Sequence, residues 1–208
     1  MTDAQVSTTA HRAKRPSIAR QRLLATASAL FYADGIRGVG VDRILVEASV
    51  TRATFYRHFA SKEDLVSAYL HERDQSIRQQ FAEAATLDVE PRVLFNLVVR
   101  TIGEELCTAG FRGCPFINAA AEYPDPTSDP HRIVQAHRAW FLSTIEHLLI
   151  AVGVADPHAT AKVVVLARDG AMVAGYLSNP AAAQATLVHA IESVLQQSRA
   201  PVNDDNPR

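Results

Sequence analysis

Apolar residues recur along this chain at intervals of three and four, and no two-residue alternation persists, so the pattern predicts helices throughout. Ser17 stands as an N-cap, Leu23, Ala27, Leu30 and Phe31 follow on one face, and Gly35 is placed as the stop. A second, short helix carries Val41, Ile44, Leu45 and Ala48. Ser49 and Val50 make a tight turn. Thr51 then caps a third helix running to about Ala60, with Phe55 and Phe59 one turn apart. Ser61 restarts the chain as a helix to about Ala85, with Asp64 where a capping box wants an acid. Glu90 and Pro91 open a fifth helix striped by Phe95, Val99, Ile102 and Leu106 and widened by Leu94, Leu97 and Val98. Residues 115–123 read as a short apolar helix and the proline-rich segment 124–130 as a loop. A long helix then places Ile133, His137, Trp140, Phe141, Thr144, Ile145 and Leu148 on one face. Two further apolar helices span about 157–178 and 181–198. The expected fold class is all-α, with about nine helices.

The boundaries follow from where the pattern fails. Residues 1–16 have no hydrophobic period and end in Lys14-Arg15-Pro16, the composition of a mobile basic arm. Residues 17–62 form the first domain and 63–200 the second, and the polar stretch 201–208 is expected to be disordered. Charge divides along the same line. Residues 1–62 carry ten Lys/Arg against four Asp/Glu, whereas residues 63–208 carry eleven against eighteen. A basic head on an acidic body directs only the head toward a polyanion. No apolar run is long enough to span a bilayer and the N-terminus lacks a secretory segment, so a cytoplasmic protein without membrane contact is expected. The two cysteines, Cys107 and Cys114, fit neither a zinc nor a thioredoxin spacing.

The informative core is residues 41–59. A short helix, a tight turn and a second short helix form a helix-turn-helix, whose second helix enters the DNA major groove. With Phe55 and Phe59 turned inward, Arg52, Ala53, Tyr56 and Arg57 share the outer face of the helix that Thr51 caps. Arg52 offers a fork to guanine O6 and N7, and Ala53 allows close approach to a thymine methyl. Thr54, Tyr56 and His58 carry donors for phosphate oxygens, and the capping Thr51 belongs to the same candidate DNA-binding set. Lys62, at the next helix start, joins its charge to free N–H groups there.

The stretch Phe31-Tyr32-Ala33-Asp34-Gly35-Ile36, with the block Phe55-Tyr56-Arg57-His58-Phe59 and the following Ser61-Lys62-Glu63-Asp64-Leu65, resembles the DNA-binding domain of the TetR family of bacterial regulators. The likeness covers roughly residues 17–70. It implies an all-helical homodimer with a three-helix DNA-binding domain, an effector pocket in the remaining helices, and a four-helix dimer interface from the last two. It also implies base contacts from Arg52, Ala53 and Tyr56 and phosphate contacts from Thr54, Tyr56, His58 and Lys62. Two positions depart from the family pattern. Gly38-Val39-Gly40 stands where a capping Ser or Thr is usual, leaving Gly40 as the cap. Ser49 stands where the turn usually has Gly, so a positive φ there carries strain.

For the pocket, Phe95, Ile102, Phe116, Ile117, Trp140 and Phe141 are candidate walls, and Asn118, His137 and Thr144 candidate orienting groups. Taken singly, each aromatic reads better as plain core and His137 as a satisfied buried histidine; for the group as a whole, the family resemblance implies a cavity. For the dimer interface, Val163, Leu166, Ala167, Gly170, Ala171, Ala174 and Leu177 share one broad face, with Leu187, Ile191, Val194 and Leu195 on the last helix. A metal site from Glu122, His131 and His137 lacks a shared helix face. A thiol catalyst built on Cys114 lacks any flanking signature, and no cofactor motif is present, so neither an enzyme nor a cofactor is expected. The expected function is a DNA-binding regulator, most simply a repressor released from a near-palindromic operator by a small molecule. A regulator without a ligand, controlled by a protein partner or acting as an activator, remains the alternative.

Overall fold

The computed structural model describes residues 17–198; the basic arm and the polar tail expected from the sequence lie outside them. Among the described residues there are nine helices and no strand. α1 (Ile18–Asp34) is capped by Ser17, whose Oγ accepts the Arg20 N–H at 3.2 Å. Leu23, Leu24, Ala27, Leu30 and Phe31 are its buried face, and Gly35 ends it at φ +83°. α2 (Val41–Ala48) begins at Gly40 with no side-chain cap. Its C-cap Ser49 is left-handed at φ 51°, the one positive-φ residue besides glycines among the described residues. α3 (Arg52–His58) is capped by Thr51, whose hydroxyl accepts the Thr54 N–H.

The sequence pattern carried α3 to about Ala60, but Phe59 is extended at φ −137° and ψ 119°. The restart is the cause. Ser61 accepts the Asp64 N–H, and Asp64 in turn accepts the Ala60 N–H at 3.0 Å, so residues 59–61 serve the next helix. That helix, α4 (Lys62–Ala84), buries Leu65, Val66, Tyr69 and Leu70 and packs against α1. Tyr69 meets Phe31 edge-on with ring centroids 5.9 Å apart. The second half of α4 leaves the head and packs on the body.

The body comprises α5 (Pro91–Leu106), α6 (Pro115–Glu122), α7 (Asp129–Val152), α8 (Pro157–Leu177) and α9 (Pro180–Gln197). α7 lies against α4, α5, α6 and α8, and α9 packs along α8 and α5. All five begin with Pro in their first turn, where the missing N–H would have no helical partner anyway. This corrects one boundary, because Asp129 and Pro130 belong to α7 and not to the loop before it. The face of α7 is also shifted by about one residue from the sequence reading. Val134, His137, Phe141, Ile145 and Leu149 are buried, while Ile133, Trp140, Thr144 and Leu148 flank that row half-buried.

Candidate functional site

On the head, α3 stands on Phe55 and Phe59, both buried, and presents Arg52, Ala53, Tyr56 and Arg57 to solvent. Tyr56 is half exposed and braced edge-on by Phe55 at 5.1 Å. Arg52 is not free in direction, because its guanidinium is paired with Asp42 in the first turn of α2. The first turns of the two helices are thereby tied across the turn by an exposed ion pair. The Thr51 hydroxyl donates to the Thr54 hydroxyl at 3.0 Å. His58 turns back toward α1, with Nε2 3.0 Å from the Ser17 hydroxyl, so it is engaged within the head. Lys62 is half-buried with its ammonium 6.0 Å above the Phe31 ring, and burial lowers its pKa while Glu122 works against that shift.

Two contacts tie head to body. The Glu122 carboxylate, at the end of α6, accepts the backbone N–H of Ile36 at 2.8 Å and of Arg37 at 2.5 Å. The Arg37 guanidinium returns to the Glu122 carbonyl at 2.8 Å. The Tyr32 hydroxyl on α1 donates to the Gly113 carbonyl and accepts the Arg112 N–H, each at 3.0 Å.

Inside the body, a cavity of about 450 Å³ lies between α4, α5, α7 and α8. Ile77, Phe81, Val98, Ile102 and Phe141 supply apolar wall, and His137 and Arg168 supply polar groups. His137 is held on two sides. Its Nδ1 is 2.8 Å from Asp74 Oδ1, and Phe116 of α6 lies flat on the ring at 3.6 Å. Burial opposes the charge on Asp74, but hydrogen bonds from Arg78 and His137 outweigh it and hold the carboxyl below its usual range. Burial likewise depresses the His137 imidazole, more than the Asp74 hydrogen bond raises it. Arg78 stacks over Trp140 at 4.3 Å, outside the cavity lining. Arg168 donates to Asp169 at 3.0 Å and to the Cys114 sulfur at 3.3 Å. Its Nε has no hydrogen-bond partner, and its guanidinium lies 5.4 Å over Phe141. A second, open trough of about 750 Å³ runs along the outer side of α8 between Leu166 and Leu177. Those two leucines are about 70% exposed, and Val163, Val173 and Tyr176 extend the same apolar surface.

Residues 23–69 match the family model described as bacterial regulatory proteins, tetR family. The solved TetR-family transcriptional regulator SCO4454 from Streptomyces coelicolor superimposes with a TM-score of 0.84 at 48% identity, over 88% of this chain and 96% of that one. The chain belongs to the TetR family. It is a DNA-binding transcriptional regulator with a helix-turn-helix head and a helical C-terminal body. The HTH-type transcriptional regulator LmrA from Bacillus subtilis is 27% identical over 144 residues, 67% of this chain and 76% of that protein. The reduced form of NemR from E. coli shares the fold, with a TM-score of 0.79 at 19% identity over 89% of this chain.

With the TetR-family fold in place, the candidate residues sort by position. The α3 residues form one exposed patch, with Thr54 and His58 at its half-buried edge. Of the nine candidate pocket residues, Ile102, His137 and Phe141 line the cavity. Phe95 is fully buried core. Phe116 reaches the cavity only through His137, and Ile117 faces the α8 trough. The exposed Asn118 spends its amide N–H on the Arg112 carbonyl, and Thr144 bonds the Trp140 carbonyl. Trp140 packs on Phe81 and Arg78 outside the lining. The lining residues that the sequence did not mark as pocket are Arg73, Ser76, Ile77, Gln80, Phe81 and Ala84 of α4, Leu97, Val98, Thr101, Glu104 and Glu105 of α5 with Thr108 just after it, and Arg168 of α8. On α4 the signal was present, since Arg73, Ile77, Gln80 and Ala84 recur at helical spacing on a helix whose inner face had not been assigned.

For the candidate dimer face, Val163, Gly170 and Ala174 are exposed and Ala167 and Val194 half-buried. Ala171, Leu187 and Ile191 are buried inside the protomer and correct that part of the expectation, because α8 turns one side to α9 and the other outward. Glu122, His131 and His137 are held separately, by the 36–37 backbone, the Tyr123 carbonyl and Asp74.

Proposed function

We propose that this regulator is a repressor that binds a near-palindromic operator as a homodimer and is released when a small molecule enters the α4/α5/α7/α8 cavity. In this reading the exposed side chains of α3 read the major groove, and the outer side of α8 carries the twofold contact. The observation that carries the proposal is a chain of contacts. The cavity residue His137 is stacked on Phe116 of α6, and α6 ends in Glu122, which grips the backbone at the end of α1. A ligand that moves His137 or Phe116 would therefore strain the seat of the head. The cavity volume also falls within the usual range for drug-sized ligands.

Footprinting the full-length protein on the intergenic DNA beside its own gene tests the operator. Adding cell extract to the footprinted complex tests release. A protected near-palindrome that an extract uncovers supports the proposal. Protection that no extract relieves favours control by a protein partner.

A further inference from the structure

We propose that the effector is a flat, uncharged aromatic alcohol whose O–H donates to Nε2 of His137; this rests on the effector reading above. The geometry fixes which proton the imidazole presents. Nδ1 faces the Asp74 carboxylate at 2.8 Å, and a carboxylate can only accept, so Nδ1 carries the hydrogen. Nε2 makes no hydrogen bond to any described residue, and it is the nitrogen left for the cavity that His137 lines. Burial favours the neutral ring, so Nε2 offers a lone pair rather than a proton. A buried acceptor in an apolar wall discriminates strongly in favour of a ligand that donates to it.

The charges along the lining decide against an ionic ligand. In number, Arg73 and Arg168 are matched by Glu104 and Glu105, so the lining carries no formal net charge; Arg168 is engaged through Nη1 by Asp169 and the Cys114 sulfur, and its Nε–H is left to donate a hydrogen bond. A lining without net charge favours an uncharged ligand over a carboxylate or an ammonium. The walls favour a ring. Phe81 and Phe141 stand edge to face at 5.9 Å and 89°, with Ile77 and Ile102 beside them. Phe116 covers the ring of His137 from α6 and fixes the plane in which Nε2 points.

Calorimetric titration of the full-length protein with 2-naphthol, 2-methoxynaphthalene and 2-naphthoate is the test. The phenol is expected to bind roughly tenfold or more tightly than the ether, which leaves Nε2 unpaired, and more tightly than the carboxylate. In His137→Phe the phenol and ether should bind alike. Imidazole 15N shifts keep the question open to measurement should that variant fold poorly: His137 should report the Nδ1–H tautomer when free and an Nε2 shift with 2-naphthol. An ether that binds as well as the phenol overturns the proposal. So does a tighter carboxylate, an unmoved Nε2, or no binding of any probe. An extract that releases the operator while 2-naphthol fails to bind removes the ligand class and spares the effector reading. A phenol that binds through His137, with neither it nor any extract releasing the operator, does the reverse.

Discussion

Glu122 and Ile36 are joined across the boundary between body and head by a 2.8 Å hydrogen bond from backbone to carboxylate, with Arg37 donating to the same group. A charged acceptor on two otherwise unpaired N–H groups is worth about 1.5–3 kcal/mol. Glu122→Ala should lose that much stability in denaturant unfolding while leaving α3 unchanged. Operator affinity should therefore fall little, and release by effector should become incomplete. Wild-type release in this variant, followed by fluorescence anisotropy on labelled operator, would take Glu122 out of the coupling.

Arg52 and Lys62 should fail in different ways. Arg52→Ala is expected to cost about 1–3 kcal/mol per half-site and to relax preference at one base pair in each half. Lys62→Ala should weaken specific and non-specific DNA alike, since a phosphate carries no sequence. Asp42 adds a third arm. Because it pairs with Arg52, Asp42→Ala should alter the preference at the same base pair as Arg52→Ala. A selection on randomised half-sites reads all three, and a base preference lost with Lys62 but kept without Arg52 reverses the roles.

Ser49 holds φ at 51° where a glycine would rest without a Cβ penalty. Ser49→Gly should raise stability by about 1 kcal/mol, or about 2–4 °C in Tm for a chain of this size. Calorimetry that finds the variant less stable would mean the Ser49 side chain contributes more than its strain costs.

Dimerisation should depend on the outer side of α8 and not on the inner. Leu166→Glu and Ala174→Arg, at exposed positions, should give folded monomers by light scattering. Ala171→Arg, at a buried position, should instead unfold the body, which circular dichroism would register. Folded dimers from both outer variants would place the contact elsewhere.

His137 sets a direction for pH. Burial keeps the folded imidazole below its ordinary value, so the unfolded chain takes up a proton more readily. Stability is then full above the ordinary imidazole pKa of about 6.5 and declines as pH falls through it. Asp74 is depressed, so its own contribution is lost only at much lower pH and does not confuse this window. Tm should fall between about pH 7.5 and about pH 5.5, and the fall should be shallower in His137→Phe. Parallel curves would assign the slope to another group.

The head was legible in the sequence because its determinants are local. Caps at Ser17, Thr51 and Ser61 and the anchors Phe55 and Phe59 each act within one or two turns. The cavity was less legible because it is built by four helices distant in sequence. Arg168 and Asp74 read as surface charge until α7 is laid against α4 and α8, and Phe95 and Phe116 read as wall until the core closes over them. The two sides of α8 share one small-residue pattern, so only the packing of α9 separates Ala171, inside, from Ala174, outside.

α4 is an unbroken strut common to both packing units. Tyr69 packs on Phe31 of the head, Phe81 borders the cavity, and no glycine or proline interrupts the helix between them. At 1.5 Å of rise per residue, the beam from Tyr69 to Phe81 is roughly 18 Å long. Such a beam has no joint at which to absorb a push. Pressure on Phe81 would emerge as rotation of the whole rod, with the packing of Tyr69 on Phe31 of α1 as the load it carries.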